Sequence, residues 1–372
     1  MIEKIVLIPD SFKNTMESQT VCDVIKETIN VLDNDMEILC YPIADGGEGT
    51  ALIFSQYLNL EIKKMCTTNA FNKNIEIEYG SDGKVAVIDI ASVVGFAANP
   101  NEVLNPQKAT TYGIGKVLKE LINQKHKKIY IGLGGSITND LGMGMIAGMG
   151  VKFYNMDGNE FIPCGKTLSD IKKIDCEEFN VSDCEFICLS DVKSPLFGET
   201  GAARMFARQK GADDEMIEEL EKDARVCVET LSKYYPDYSN YEGSGAAGGL
   251  GFAFKTFMNA EMKSGIAELL SISKVEEVLD QDTLVITGEG KFDKQSLEGK
   301  VISGVVEMVE KTNAQLIIVA GCVEGDVSYG AIKKVFACSE LGRSMEEVKK
   351  TCVEDLKRTT KDVYEYIIEN NL

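Results

Sequence analysis

Three short apolar runs of this 372-residue chain each break into a glycine-rich loop that carries acid. They are Ala44-Asp45-Gly46-Gly47-Glu48-Gly49-Thr50, Gly132-Leu133-Gly134-Gly135-Ser136-Ile137-Thr138-Asn139-Asp140 and Thr287-Gly288-Glu289-Gly290-Lys291-Phe292-Asp293. Glycine lets backbone N–H groups close on an anion, and a neighbouring carboxylate can hold a hard cation or take a proton. The pairing points to phosphate and magnesium chemistry. Glycine turns are common at strand ends for steric reasons, so one such loop would say little; three with acids say more.

Other candidates carry two readings each. Asp10-Ser11-Phe12-Lys13 follows the first strand-like run, where the lysine can meet a carboxylate or phosphate, but Asp10 or Ser11 serves equally as a helix N-cap. Asp191 stands just past the run Glu185 to Leu189, well placed for magnesium and equally at home before a turn. Arg204, Arg208 and Lys210 form a basic island that can pair with phosphate oxygens or with the acidic run Asp213 to Glu221. Gly243, Gly245 and Gly248 make a GxGxxG, yet it follows a polar, tyrosine-rich loop and so fails the context of a dinucleotide fingerprint; it is either a flexible loop or an anion-binding start to a helix from Ala247 to Met258. No GxxxxGK[ST] occurs. The single histidine, His126, sits among lysines and is expected to face solvent, so a carboxylate is the expected general base. Eleven cysteines, without a CxxC pair and many in apolar runs such as those of Cys40, Cys188, Cys322 and Cys338, read as buried reduced thiols and not as a disulfide framework or zinc site.

The elements that must position these groups follow two grammars. At both ends strands and helices alternate: strand Ile5 to Ile8, helix Ser18 to Leu32, strand Glu37 to Ile43, helix Gly49 to Tyr57, then strand Leu284 to Thr287, helix Leu297 to Lys311, strands Leu316 to Ala320 and Lys334 to Cys338, and a last helix Met345 to Asn370. Such alternation implies a parallel sheet, here of five strands. The middle opens instead with an antiparallel meander, Glu61 to Cys66, Ile75 to Tyr79 and Val85 to Ile90, turning at Ser81-Asp82-Gly83. A helix Thr111 to Gln124, strand Ile129 to Gly132, a hairpin around Met156-Asp157-Gly158-Asn159 and strand Glu185 to Leu189 follow. The expected fold is a doubly wound parallel sheet, residues 1–60 plus 281–372, split around an inserted mixed α/β domain, 61–280. A hinged cleft between the two is the expected active site.

Length fits two domains. A net charge of -20 argues against general affinity for nucleic acid or anionic membranes, and requires a local basic pocket if the substrate is an anion. No apolar run approaches a membrane helix and the N-terminus shows no secretion signal, so the expected location is the cytoplasm.

Taken together the motifs closely resemble the glycerate kinase family of bacteria, across nearly the whole chain. The resemblance rests on Pro9-Asp10-Ser11-Phe12-Lys13, Ala44 to Thr50, Asn105-Pro106 with Thr110-Thr111-Tyr112-Gly113, Gly134 to Asp140, Ser190-Asp191-Val192 with Pro195-Leu196, Gln209-Lys210-Gly211-Ala212, Gly245 to Gly249, and Thr287 to Asp293 with Gln295 and Gly299-Lys300. Ser190 and Ser194 depart from the family's Cys-Asp-Val-x-Asn-Pro-Leu, and Lys291 stands where arginine is usual, keeping the charge but losing a bidentate fork. The resemblance implies a flavodoxin-like domain joined to a second α/β domain, and ATP- and Mg2+-dependent phosphorylation of D-glycerate, with 2-phosphoglycerate favoured and 3-phosphoglycerate open. It implies that Lys13, Ser11 and Lys291, with Asp10, hold glycerate, that Gly134, Gly135, Ser136, Asn139 and Glu289 attend the nucleotide, and that Asp191 and Asp293 bind magnesium or take the hydroxyl proton, with Lys13 also catalytic. Asp45 and Glu48 complete the substrate site. A homodimer is allowed. The alternatives are a kinase for another small hydroxy acid, which the same motifs could serve, and a non-catalytic nucleotide or sugar-acid sensor, which needs neither several acids nor lysines converging on one cleft.

Overall fold

The structure is a computed structural model and describes residues 2–12, 15–44, 46–47, 49–297, 301–325, 330–370 and 372. Lys13, Asp45, Glu48 and Gly299-Lys300 thus lie outside the described residues. The chain divides into two compact units, Met1–Asp45 with Ile266–Leu372, and Gly46–Gly265. Among the described residues no helix is long and apolar enough to cross a membrane.

The first unit is built on a five-stranded, all-parallel sheet in the order Ile332–Ala337, Gln315–Ala320, Thr283–Gly288, Lys4–Pro9, Glu37–Cys40. Numbered along the chain this is 2-1-3-4-5, the flavodoxin-like order. Its central strands are buried on both faces, which is why they read as unbroken apolar runs. Ile5, Leu7, Leu284, Ile286, Ile317 and Val319 alternate onto one face, where they meet Val21, Cys22, Ile25 and Ile29 of helix Ser18–Leu32 and Leu356, Val363 and Ile367 of helix Met345–Glu369. Ser344 caps that last helix in a capping box: its hydroxyl accepts from Glu347 N at 3.3 Å and Glu347 Oε2 accepts from Ser344 N at 3.0 Å.

The second unit holds a six-stranded sheet. Glu261–Lys263, Glu185–Leu189, Lys128–Gly132 and Val85–Asp89 run parallel, and Asn74–Ser81 and Glu61–Thr68 extend it antiparallel, as the meander predicts. A separate three-stranded antiparallel sheet, Glu160–Phe161, Lys152–Tyr154 and Lys173–Asp175, contains the expected hairpin. Ile88, Ile131, Val117, Leu121, Ile146 and Phe254 are among the buried side chains of the core.

Three expectations are corrected, and one run whose structure the sequence leaves open is defined. The run Asp213 to Glu221 is the start of an 18-residue helix, Asp214–Leu231: Asp213 caps it by accepting from Met216 N at 2.9 Å, and Ile217, Leu220, Ala224, Val228 and Leu231 line its buried side. Most of its acids are solvated, but Glu221 is 6% exposed and accepts from Gly198 N at 2.9 Å. His126 does not face solvent; it is 3% exposed, with Nε2 2.7 Å from Ser81 Oγ and Nδ1 2.9 Å from Leu121 O. The lysines around it misled, because the side chain fills the gap between a strand end and a helix end. The helix expected from Ala247 opens with Ala247, Gly248 and Gly249 all left-handed (φ 53, 71 and 94°), so regular helix starts at Leu250. All eleven cysteines are free, but Cys40 and Cys322 are half-buried, since their strands lie at a sheet edge and in a short two-stranded ladder.

Candidate active site

In the first unit a cavity of about 430 Å³ opens at the carboxyl ends of the parallel strands. Asp10 follows Lys4–Pro9 and Glu289 follows Thr283–Gly288, the two strands between which the sheet order reverses. Ligands of open α/β sheets collect at that switch point. Asp10 is 5% exposed; its amide donates to Gly288 O at 2.9 Å and its Oδ1 accepts from Ser11 N at 2.7 Å. The helix begins only at Ser18, so neither Asp10 nor Ser11 is its N-cap. Their positions are set by the strand end.

The third glycine loop is fastened edgewise. Lys291–Phe292 pairs in parallel with Cys322–Val323, and Gly321 N and Cys322 N donate to Glu289 O and Gly290 O at 3.0 and 3.1 Å. A Cβ at Gly288 would sit 1.8 Å from Val319 O, which leaves room for glycine alone. This ladder sets Lys291 against Glu324, its first ion-pair partner, with Asp293 Oδ2 at 3.7 Å. The Glu324 contact pushes the Lys291 ammonium up, so it stays charged. Asp10, Ser11, Glu289, Lys291 and Asp293 therefore line one cavity. Sequence reasoning missed its second cation, Arg343, which lies in no motif.

In the second unit the middle glycine loop leaves the end of Lys128–Gly132. Leu133 N donates to Leu189 O and Gly134 N to Gly46 O, both at 3.0 Å. Gly135 is left-handed (φ 77°), and Ser136 Oγ is engaged with Thr138, 2.7 Å from its hydroxyl and accepting from its amide at 3.1 Å. Asn139 is 1% exposed, and its Oδ1 has no partner among the described residues. A buried amide end of this kind is what a bound ligand would satisfy. One strand over, Asp191 follows Glu185–Leu189 and is half-buried.

Beneath this loop lies a support that the sequence did not assign. Asp140 is fully buried and accepts from Thr111 N (2.8 Å), Thr111 Oγ1 (2.9 Å), Gly142 N (3.0 Å) and Gly144 N (3.2 Å). Burial pushes its carboxyl up, while these donors pull the other way. Lys210, also buried, donates to Thr138 O at 2.6 Å. The basic island thus divides: Arg204 forms a fork with Glu218 at 2.7 and 2.9 Å and Arg208 pairs with Asp214, whereas Lys210 goes inward. The left-handed turn at Ala247 to Gly249 packs on the same loop, with Leu141 N donating to Gly248 O at 3.1 Å and no room for a Cβ at Gly248, which would lie 2.1 Å from Thr138 O.

Asp191 and Asp293 belong to different units. Among the described residues no three His, Cys, Asp or Glu gather where a metal could sit. Magnesium commonly takes one or two carboxylates and completes its shell with phosphate oxygens and water, a donor set that either aspartate suits.

The glycerate kinase family model matches residues 5–368. The chain is 33% identical over 368 residues to glycerate 2-kinase of Escherichia coli K12, covering 97% of both chains, and 33% identical over 365 residues to glycerate kinase of Neisseria meningitidis serogroup B, again 97% of both. The crystal structure of a candidate glycerate kinase 2 from Salmonella typhimurium LT2 superposes with a TM-score of 0.84 at 30% identity, covering 100% of both chains. With its motifs, its sheet order and these similarities in one register, the chain belongs to the glycerate kinase family and is an enzyme of the kinase class.

Proposed function

We propose that the enzyme transfers the γ-phosphoryl group of ATP to a hydroxyl of D-glycerate, giving 2-phosphoglycerate, in the cytoplasm. Family membership supports the acceptor, and the name of the Escherichia coli relative supports the 2-position. The observation that carries the reading in this chain is the cavity at the switch point, where Ser11, Lys291 and Asp10 converge with Asp293 and Glu289. Ser11 and Lys291, with Lys13, hold the acceptor. Gly134, Gly135, Ser136 and Asn139 attend the nucleotide, and the unpartnered Asn139 Oδ1 would accept from a ligand donor such as a hydroxyl or amine while its amide nitrogen is the group that can face a phosphate.

Phosphoryl transfer asks chiefly for in-line positioning and for neutralised charge on the moving group. Magnesium, when bound, would neutralise phosphate oxygens, with Asp191 or Asp293 as a protein ligand. In one aspartate or the other the carboxylate takes the proton of the attacking hydroxyl. The test is ADP release on adding D-glycerate to enzyme, ATP and Mg2+, with phosphorus NMR of the product. A 2-phosphate resonance is expected. ATP binding without consumption would replace the reading by that of a sensor.

A further inference from the structure

We infer that Arg343, assigned to nothing by the family motifs, is the anion anchor of the first unit's cavity and takes an oxyanion there, the acceptor's carboxylate or a nucleotide phosphate. The inference rests on the proposed kinase reading for the identity of its ligand. Lys291 and Arg343 are the cations lining that cavity among the described residues, against Asp10, Glu289, Asp293, Glu340 and Asp355. An anionic substrate therefore needs a cation not already consumed by acid. Lys291 faces two carboxylates, Glu324 and Asp293, and gives a point charge.

Arg343 is held differently. Its Nη1 donates to Asp355 Oδ2 at 2.8 Å and its Nη2 to Thr351 Oγ1 at 2.8 Å, while the Thr351 hydroxyl donates to the same Asp355 oxygen at 2.6 Å. This closed ring fixes the plane of the guanidinium from one side and uses two of its five donors. Asp355 is shared with a second guanidinium, Arg358, whose Nη1 lies 3.1 Å from Oδ1. Burial alone would raise the Asp355 carboxyl; Thr351, Arg343 and Arg358 outweigh it and hold it below its usual range. So Asp355 remains an anion, divided between two cations, and orients Arg343 without cancelling it. Glu347 near by is committed to Ser344 N and Oγ. A guanidinium so oriented, a third exposed, offers the bidentate fork that Lys291 lacks.

The experiment compares wild type, R343A and R343K in steady state with D-glycerate and ATP varied separately, alongside thermal midpoints. A rise of about tenfold or more in the KM of one substrate, with partial recovery in R343K and rescue of R343A by added guanidinium, supports the assignment. If the glycerate KM moves, the occupant is the carboxylate; if the ATP KM moves, it is a phosphate. Unchanged constants for both substrates in a folded R343A overturn it, and should R343A fail to fold, unchanged constants in R343K do so. Should the wild type not turn over glycerate, the kinase reading fails separately. Calorimetric titration of wild type and R343K with inorganic phosphate and with D-glycerate then decides: weaker binding to R343K upholds the anchor, and equal binding rejects it.

Discussion

Lys210 donates to the main-chain carbonyl of Thr138 at 2.6 Å from a side chain that is 2% exposed. Burial pulls its ammonium down from the usual 10.5 to about 7, opposed by the charge of Asp140. The unfolded chain keeps this lysine protonated up to its ordinary value, whereas the folded chain releases the proton above about 7. Between the two the unfolded state binds more protons, so folding stability rises with pH; the penalty for burying the charge is present in full below the lower value and fades above it. Relative to Lys210→Met, the wild type is expected to gain more than about 1 kcal/mol between pH 7 and about pH 9.5, read by urea denaturation. A difference that stays flat with pH would show that Lys210 does not titrate in this range.

Gly134 is expected to tolerate no side chain. A Cβ there would lie 2.5 Å from Gly47 Cα and 3.2 Å from Gly46 O, backbone atoms that cannot swing aside. Gly134→Ala should lower stability by roughly 1–3 kcal/mol, and turnover with it if the loop holds phosphates. An alanine variant with an unshifted urea midpoint would mean that the two loops separate freely.

His126→Ala should cost stability and leave chemistry alone. The Leu121 carbonyl can only accept, so Nδ1 carries the proton and Nε2 accepts from the Ser81 hydroxyl. Removing the ring takes one hydrogen bond from each partner, while Leu121 O keeps the His126 amide at 3.2 Å and Ser81 Oγ keeps that of Gly83 at 3.0 Å, so the cost is about 1–3 kcal/mol. With normal kcat/KM the histidine is a packing residue; a large fall in kcat/KM at unchanged stability would return it to the list of catalytic groups.

Asp191→Asn should reduce kcat by about two orders of magnitude or more, as expected for a lost general base or metal ligand, with an unaltered circular dichroism spectrum. Turnover at the wild-type rate would remove Asp191 from the mechanism.

Local signals settled much of this protein. Helix Ser18–Leu32, strand Glu185–Leu189 and the five parallel strands follow from apolar runs and periodicity, because strands buried on both faces have little choice of composition. Family motifs brought out Asp10, Ser11, Glu289, Lys291 and Asp293, which share a cavity because they stand just past adjacent strand ends. What the sequence could not decide is which polar groups face inward. Lys210 and Arg208 are two residues apart in one basic island, yet one is buried beneath Thr138 and the other meets Asp214 at the surface. His126 reads as solvated from its lysine neighbours and is buried by Ser81 and Leu121. Arg343 becomes a cavity residue only because helix Met345–Glu369 brings Thr351 and Asp355 back to it. Burial and partner choice are sums over distant segments, so hydrophobic pattern and motif spacing fix the frame, and the tertiary contacts choose which charges it encloses.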